Sequence, residues 1–220
     1  YLTNLTQFPD VRVLAIGDLL EDRAREQAAA YGVPNAGGVD VVLNDPDIEI
    51  VVNLTTPAVH VEVSEATIAA GKHVWTEKPI GIDRDESQRL LDKAAAAGLR
   101  VGVAPDTVLG PGVQTAKRAV ESGGIGRPLF AQTNFQWQGP EIFPPNPAFL
   151  YAKGAGPLLD MGPYYVSTLV HLFGPVAFVG ALGLRGQETR TGKEGPLAGT
   201  EFPVEIPSTV SVLMQFENGG

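Results

Sequence analysis

The sequence predicts an α/β fold in its first half and an α+β fold in its second. From residue 11 to residue 103 short apolar runs alternate with helix-like segments, the βαβα order of a parallel, doubly wound sheet. After residue 105 the alternation stops, and strand-like stretches stand apart with one long apolar helix and long loops between them, which suits a mainly antiparallel sheet. The division falls between two domains, 1–105 and 106–220.

Leu2, Leu5 and Phe8 form a helical stripe, the back half of a helix. Val11–Ile16 is apolar apart from Arg12 and reads as a buried strand with Asp18 at its carboxyl end. Asp22–Tyr31 is an Ala-rich helix stopped by Gly32, and Val39–Asn44 is a short helix or turn. Ile50–Leu54 is a second strand, Val59–Ala70 a helix, and His73–Thr76 a third strand. Asp83 suits the N-cap of a helix over Arg84–Ala97, and Arg100–Val103 is a fourth strand. In the second half the pattern predicts a helix over Val113–Glu121, a strand over Leu129–Gln138 and a proline-rich loop over Gly139–Pro147. One apolar helix covers Leu158–Phe173, strands cover Val176–Leu184 and Thr209–Glu217, and Arg185–Pro207 is a surface loop. Glu217-Asn218-Gly219-Gly220 is a hairpin-turn signal.

The 220 residues are 44% apolar, enough for a sizeable core. The formal net charge of -9 argues against nucleic acid or an anionic membrane as partner. No cysteine is present, which removes disulfides, thiolate metal sites and cysteine nucleophiles and fits a cytoplasmic protein. No apolar run is long enough to span a bilayer. The three histidines lack ligand spacing, so no metal site is expected.

A dinucleotide-binding (Rossmann-type) sheet opens with a strand, a G-x-G-x-x-G turn and a helix whose N-terminus holds the pyrophosphate. No such run precedes a helix here. Val11–Asp18 reads as the second strand of such a sheet, so the first strand and glycine loop are expected to lie before Tyr1, with further chain after Gly220. Calorimetry on the 220 residues is then expected to show only weak dinucleotide binding.

Ala70-Gly71-Lys72-His73-Val74-Trp75-Thr76-Glu77-Lys78-Pro79 is a helix stop, a buried strand and a charged pair before a proline. The pair sits at the carboxyl edge of a parallel sheet, where ligands bind. This stretch resembles the A-G-K-H-V-x-x-E-K-P signature of the Gfo/Idh/MocA oxidoreductases (glucose-fructose oxidoreductase, inositol dehydrogenase and related enzymes). Gly156-Pro157-Leu158-Leu159-Asp160-Met161-Gly162-Pro163-Tyr164 resembles the family's G-G-x-x-x-D-x-G-x-H, with Tyr in place of His. Ala15-Ile16-Gly17-Asp18 with Asp22-Arg23-Ala24 resembles A-V-x-D…E-R-A, and Thr55-Thr56-Pro57-Ala58-Val59-His60 resembles T-P-x-x-H with Ala58 where Asn is usual.

The resemblance implies NAD(P)-dependent oxidation of a sugar, polyol or similar secondary alcohol. It implies Lys78, Asp160 and Tyr164 as the catalytic set, meeting from two domains, and Asp18, Thr55, Pro57, His60, Glu77 and Lys78 as cofactor contacts. An acid at the strand end accepts bonds from ribose hydroxyls and repels a 2′-phosphate, and Leu19 and Leu20 offer no cation, so NAD is preferred over NADP. Asp18 also suits a helix N-cap, and His60 reads equally as a partly buried histidine, whereas His73 and His171 read as structural. Asp106 and Thr107 are substrate or nicotinamide contacts or a turn cap, and Trp137 is a sugar-stacking ring or core. The alternatives are an NAD-dependent glycoside hydrolase on the same fold and a non-catalytic NAD-binding regulator. The expected partners are a small-molecule substrate and a second copy of the chain through the second-domain sheet.

Overall fold

The structure, a computed structural model, describes residues 1–143 and 145–218; the last two residues of the expected hairpin turn lie outside them. The chain divides into two compact units, Tyr1–Thr76 with Arg84–Gly102, and Glu77–Asp83 with Val103–Gly220.

In the first unit the order is α1 (Leu2–Leu5), β1 (Ala15–Gly17), α2 (Glu21–Tyr31), β2 (Asn35–Gly37), α3 (Asp40–Leu43), β3 (Ile50–Asn53), α4 (His60–Ala69), β4 (His73–Thr76), α5 (Arg84–Ala96) and β5 (Val101–Val103). β1 pairs with β2 in parallel, and a second sheet runs β3-β4-β5 with β3 and β4 parallel. The first strand is shorter than the sequence predicts: residues 11–14 join no ladder, and Val11 is exposed. The sequence does not announce β2 because Asn35-Ala36-Gly37 has little strand propensity. Val42 and Val41 of α3 press to within 3.1 Å of where side-chain carbons would stand on Gly17 and Gly37, so only small residues fit there.

Ala24, Ala28, Val51, Val61, Ile68, Val74 and the fully buried Leu90 form the apolar interior of this unit. Lys72 is buried too. Its ammonium donates to the carbonyls of Asp45 and Ile48, so this lysine of the signature ties down the loop before β3. Glu65 of α4 accepts from Arg89 (3.1 Å) and Lys93 (2.7 Å) of α5. The Lys93 hydrogen bond, and then Arg89, hold its carboxyl below the ordinary value of 4.5 against the opposing effect of burial. A lowered acid stabilises the fold fully above its unfolded value and loses that contribution as pH falls through the folded one. Glu65→Gln is therefore expected to lower the melting temperature at neutral pH. The gap to wild type should close as pH drops below 4.5. A gap that persists unchanged in acid would rule the network out.

The second unit contains α6 (Pro111–Glu121), α7 (Gly156–Asp160), α8 (Gly162–Phe173), β6 (Val176–Leu184), β7 (Thr189–Thr191), β8 (Glu201–Pro203) and β9 (Thr209–Phe216). β6 and β9 are antiparallel, with a register shift between Val176 and Phe178. Phe173 at the end of α8 stacks on Phe216 at 5.1 Å.

Three expectations need correction here. Residues 129–138 form no strand, and Leu129 and Phe130 are exposed. Alternation signals an extended chain, but a strand also needs a paired neighbour, and among the described residues none pairs with this stretch. Arg185–Pro207 is not simply a loop, because β7 and β8 pair antiparallel within it, Arg190 opposite Phe202. The alternating Phe202, Val204 and Ile206 pack on Tyr151 and form a core of their own. The single apolar helix is broken at Met161. Pro163 has no N–H to give the carbonyl of Leu159. The Tyr164 N–H turns to Met161 O (3.2 Å), which releases the carbonyl of Asp160.

Candidate active site

That break builds the site. Lys78 donates 2.8 Å to the freed carbonyl of Asp160 and forms an ion pair with the Asp160 carboxylate. Its Nζ lies over the Tyr164 ring, 5.7 Å from the centre, within cation–π range. Only 17% of the Lys78 side chain is exposed. A largely buried ammonium needs a charge partner, and Asp160 supplies one. The three residues predicted as catalytic are thus together. They meet inside the second unit rather than from two, because Glu77–Asp83 packs with that unit.

Packing holds the lysine segment in place. Ile82, four residues after Lys78, lies over Gly154. A Cβ on Gly154 would stand 2.6 Å from Ile82 Cγ2, and the backbone there has φ +89°, so glycine is required twice over. Glu77 Oε2 accepts from the Lys78 N–H at 3.0 Å, turning the pair at the strand end.

In the first unit Asp18 follows β1, and its Oδ1 accepts from the Leu20 N–H at 2.8 Å. Leu20 occupies the N-cap position of α2, so Asp18 shapes the turn before the helix. Leu19 and Leu20 beside it are 90% and 65% exposed. Together with Glu21, Asp22, Arg23, Arg25 and Glu26 they line an open groove. Thr55 and Pro57 sit on the turn after β3, with Thr55 exposed. His60 is buried and donates through Nε2 to the Thr55 carbonyl (2.9 Å), so it braces that turn.

Asn53 was not singled out from sequence. It is buried at the end of β3, where its amide donates to His60 O and Ser64 Oγ, and its oxygen accepts from the Thr55 N–H and hydroxyl. An amide ending an apolar strand, just before Thr-Thr-Pro, was the available signal. His73 accepts from the Arg100 N–H, and His171 accepts from Gln114, both within structural contacts.

Asp106 and Thr107 are exposed; the Asp106 carbonyl starts a short 3-10 turn, and its side chain makes no cap. Trp137 is 46% exposed and packs on Phe143 at 5.3 Å. Residues 138–190 also hold a buried cluster that the sequence reading missed, Glu141 with Arg190 and Tyr151. Burial, and then the Glu141 charge, push the Tyr151 phenol up to about 12.

Comparison with known proteins identifies the family. Residues 1–104 match the family described as oxidoreductase family, NAD-binding Rossmann fold, and residues 113–220 match the GFO/IDH/MocA C-terminal domain. The chain is 28% identical over 222 residues to trans-1,2-dihydrobenzene-1,2-diol dehydrogenase of Oryctolagus cuniculus, covering 100% of this chain and 62% of that protein. It is 28% identical over 221 residues to levoglucosan dehydrogenase of Pseudarthrobacter phenanthrenivorans, covering 93% of this chain and 56% of that one. The solved levoglucosan dehydrogenase complex with NADH and L-sorbose superposes with a TM-score of 0.78 at 28% identity, over 94% of this chain and 55% of that one. The chain therefore spans little more than half the length of these relatives. With both halves matched and the signature lysine, aspartate and tyrosine gathered at one point, the chain belongs to the Gfo/Idh/MocA oxidoreductase family.

Proposed function

We propose that the protein is an NAD-dependent oxidoreductase that interconverts a secondary alcohol of a sugar or polyol with its ketone. The observation that carries this is the Lys78 ammonium, paired to Asp160 and set over Tyr164. Bound nicotinamide would supply the hydride acceptor. Two donor bonds of Lys78 go to Asp160. A third remains for a substrate oxygen, since an ammonium has three. In oxidation Lys78 as the neutral amine, or Tyr164 as phenolate, takes the hydroxyl proton as the carbonyl forms; in reduction the ammonium or the phenol gives it back, and Asp160 holds the lysine in position and balances its charge. Related proteins whose names include a sugar or diol substrate support this class of substrate.

The first-unit residues fit the cofactor. A carboxylate at the carboxyl end of a parallel strand suits ribose hydroxyls. The exposed Leu19 and Leu20 offer an apolar flank beside Asp18. Thr55, Pro57, His60 and Glu77 are assigned to the cofactor, and Asp106, Thr107 and Trp137 to the substrate, with the change of role near residue 105. A homo-oligomer through the β6–β9 sheet is part of this reading, supported by the exposed Phe178, Leu182, Leu184 and Leu213. Among the described residues no helix is long and apolar enough to cross a membrane.

The test is a panel of sugars and polyols added with NAD to the full-length protein, read as absorbance of reduced cofactor. Release of sugar from an aryl glycoside instead would indicate the hydrolase, and NAD binding with neither signal the regulator. Asp18→Ser with Leu19→Arg is expected to shift preference toward NADP. A wild-type enzyme that already turns over NADP faster would overturn the assignment of Asp18.

A further inference from the structure

Arg190 of β7 reaches two points on one short loop. Its Nη1 donates to the Gln138 carbonyl at 3.2 Å and to Glu141 Oε1 at 2.6 Å. The Lys193 N–H fixes the same loop through the Glu141 carbonyl at 3.0 Å. Between the two points Gly139 reverses the chain at φ +130°, where a side chain would strike Glu141 Oε2 and the Tyr151 hydroxyl. Arg190 stands on a firm base, because the strand opposite it carries Phe202, which packs with Tyr151 and Val204. Glu141 is 1% exposed, and Glu141 Oε2, Tyr151 Oη and Arg190 Nε are buried without a hydrogen bond among the described residues.

An ion pair whose carboxylate is buried with an unsatisfied oxygen is a weak source of stability, since apolar residues of similar volume often do as well. What it fixes is geometry. Trp137 adjoins Gln138 and Phe143 lies two residues past Glu141, and their rings pack together at 5.3 Å while each stays about half exposed. The chain just before Trp137 is anchored at Phe135, whose ring meets Tyr165, the neighbour of Tyr164, at 6.4 Å.

We propose that Arg190 and Glu141 are positioning residues that set the Trp137 and Phe143 rings as an aromatic ledge for the C–H face of a sugar or cyclic polyol. The nature of the ligand rests on the dehydrogenase reading above; the clamp itself does not.

Residues 1–220 hold two tryptophans, so Trp75→Phe, with any tryptophan outside these residues also changed to Phe, leaves Trp137 as the sole reporter. In that background, in the full-length protein, Arg190→Gln is expected to raise acrylamide quenching of Trp137. It should also raise the KM for the sugar or polyol roughly tenfold, with kcat and the KM for NAD within about twofold. Arg190→Lys should fall between, since lysine keeps the charge but carries it as a compact ammonium on a different stem rather than on a planar guanidinium. Where Arg190→Gln does not fold, Glu141→Gln, which keeps an acceptor and loses the charge, reads the same quantities in the same directions. Unchanged quenching, or a KM for NAD that rises as much as that for the sugar, overturns the proposal. Should the wild type oxidise no sugar or polyol, it is the dehydrogenase reading that fails, and quenching alone decides the clamp.

Discussion

Lys78→Ala is expected to lower turnover by roughly 10²–10⁴-fold, the usual cost of losing a positioned acid/base group, while NAD still binds. Alanine removes the donor proposed for the substrate oxygen and also leaves the Asp160 carboxylate and carbonyl without their ammonium. Tyr164→Phe should fall on the same scale if the phenol carries the proton. The ring would survive that change, and so would its contact with the Lys78 charge, which separates proton transfer from packing. Tyr165→Phe is the control: the Tyr165 ring packs on Phe135 and should cost far less. Single-turnover reduction of NAD with each variant is the measurement. Near-normal turnover in Tyr164→Phe would return that tyrosine to packing and leave Lys78 as the proton carrier. Near-normal turnover in Lys78→Ala would end the proposed mechanism.

Gly154→Ala should be strongly damaging although it lies outside the catalytic set. Two effects add. A non-glycine residue at φ +89° carries backbone strain, and the new methyl meets Ile82 Cγ2 at 2.6 Å. Strain and overpacking together should cost on the order of 2–5 kcal/mol. For a chain of this size that is a fall in melting temperature of roughly 5–15 °C. Adding Ile82→Ala should recover only the steric share, because it cannot change φ. A thermal scan of the two single variants and the double variant apportions the terms. Full recovery in the double variant would show that backbone strain contributes nothing, and a Gly154→Ala protein that melts like wild type would refute both terms.

Much of the fold was legible in the sequence because period and punctuation agreed. His73–Thr76 and Val176–Leu184 form strands with the boundaries their apolar runs suggest, and Gly32 ends α2 in the left-handed conformation. Local pattern failed where the structure depends on a partner. β2 exists because β1 pairs with it, not because Asn35-Ala36-Gly37 favours a strand. Residues 129–138 have the alternation but no neighbour. The meeting of Lys78, Asp160 and Tyr164 was legible through spaced motifs, but its geometry was not. The pattern implied one unbroken helix over Leu158–Phe173, whereas Pro163 breaks it and brings a backbone carbonyl into the site. Glu141 and Arg190 were invisible for a simpler reason: nothing in a lone glutamate and a lone arginine 49 positions apart signals that they will pair.

The interleaving of the two units has a consequence for folding. Glu77–Asp83 leaves the first unit between β4 and α5 and belongs to the second. The chain therefore passes from one unit to the other and back before the first unit is complete. A contiguous fragment ending near residue 105 would carry Ile82 without its contact at Gly154 and Lys78 without Asp160, orphaning a charge. Synthesis from the N-terminus must leave that excursion unsatisfied until residue 160 has emerged. The seven-residue crossing thus couples the two units covalently, and they are expected to melt as one cooperative transition rather than two.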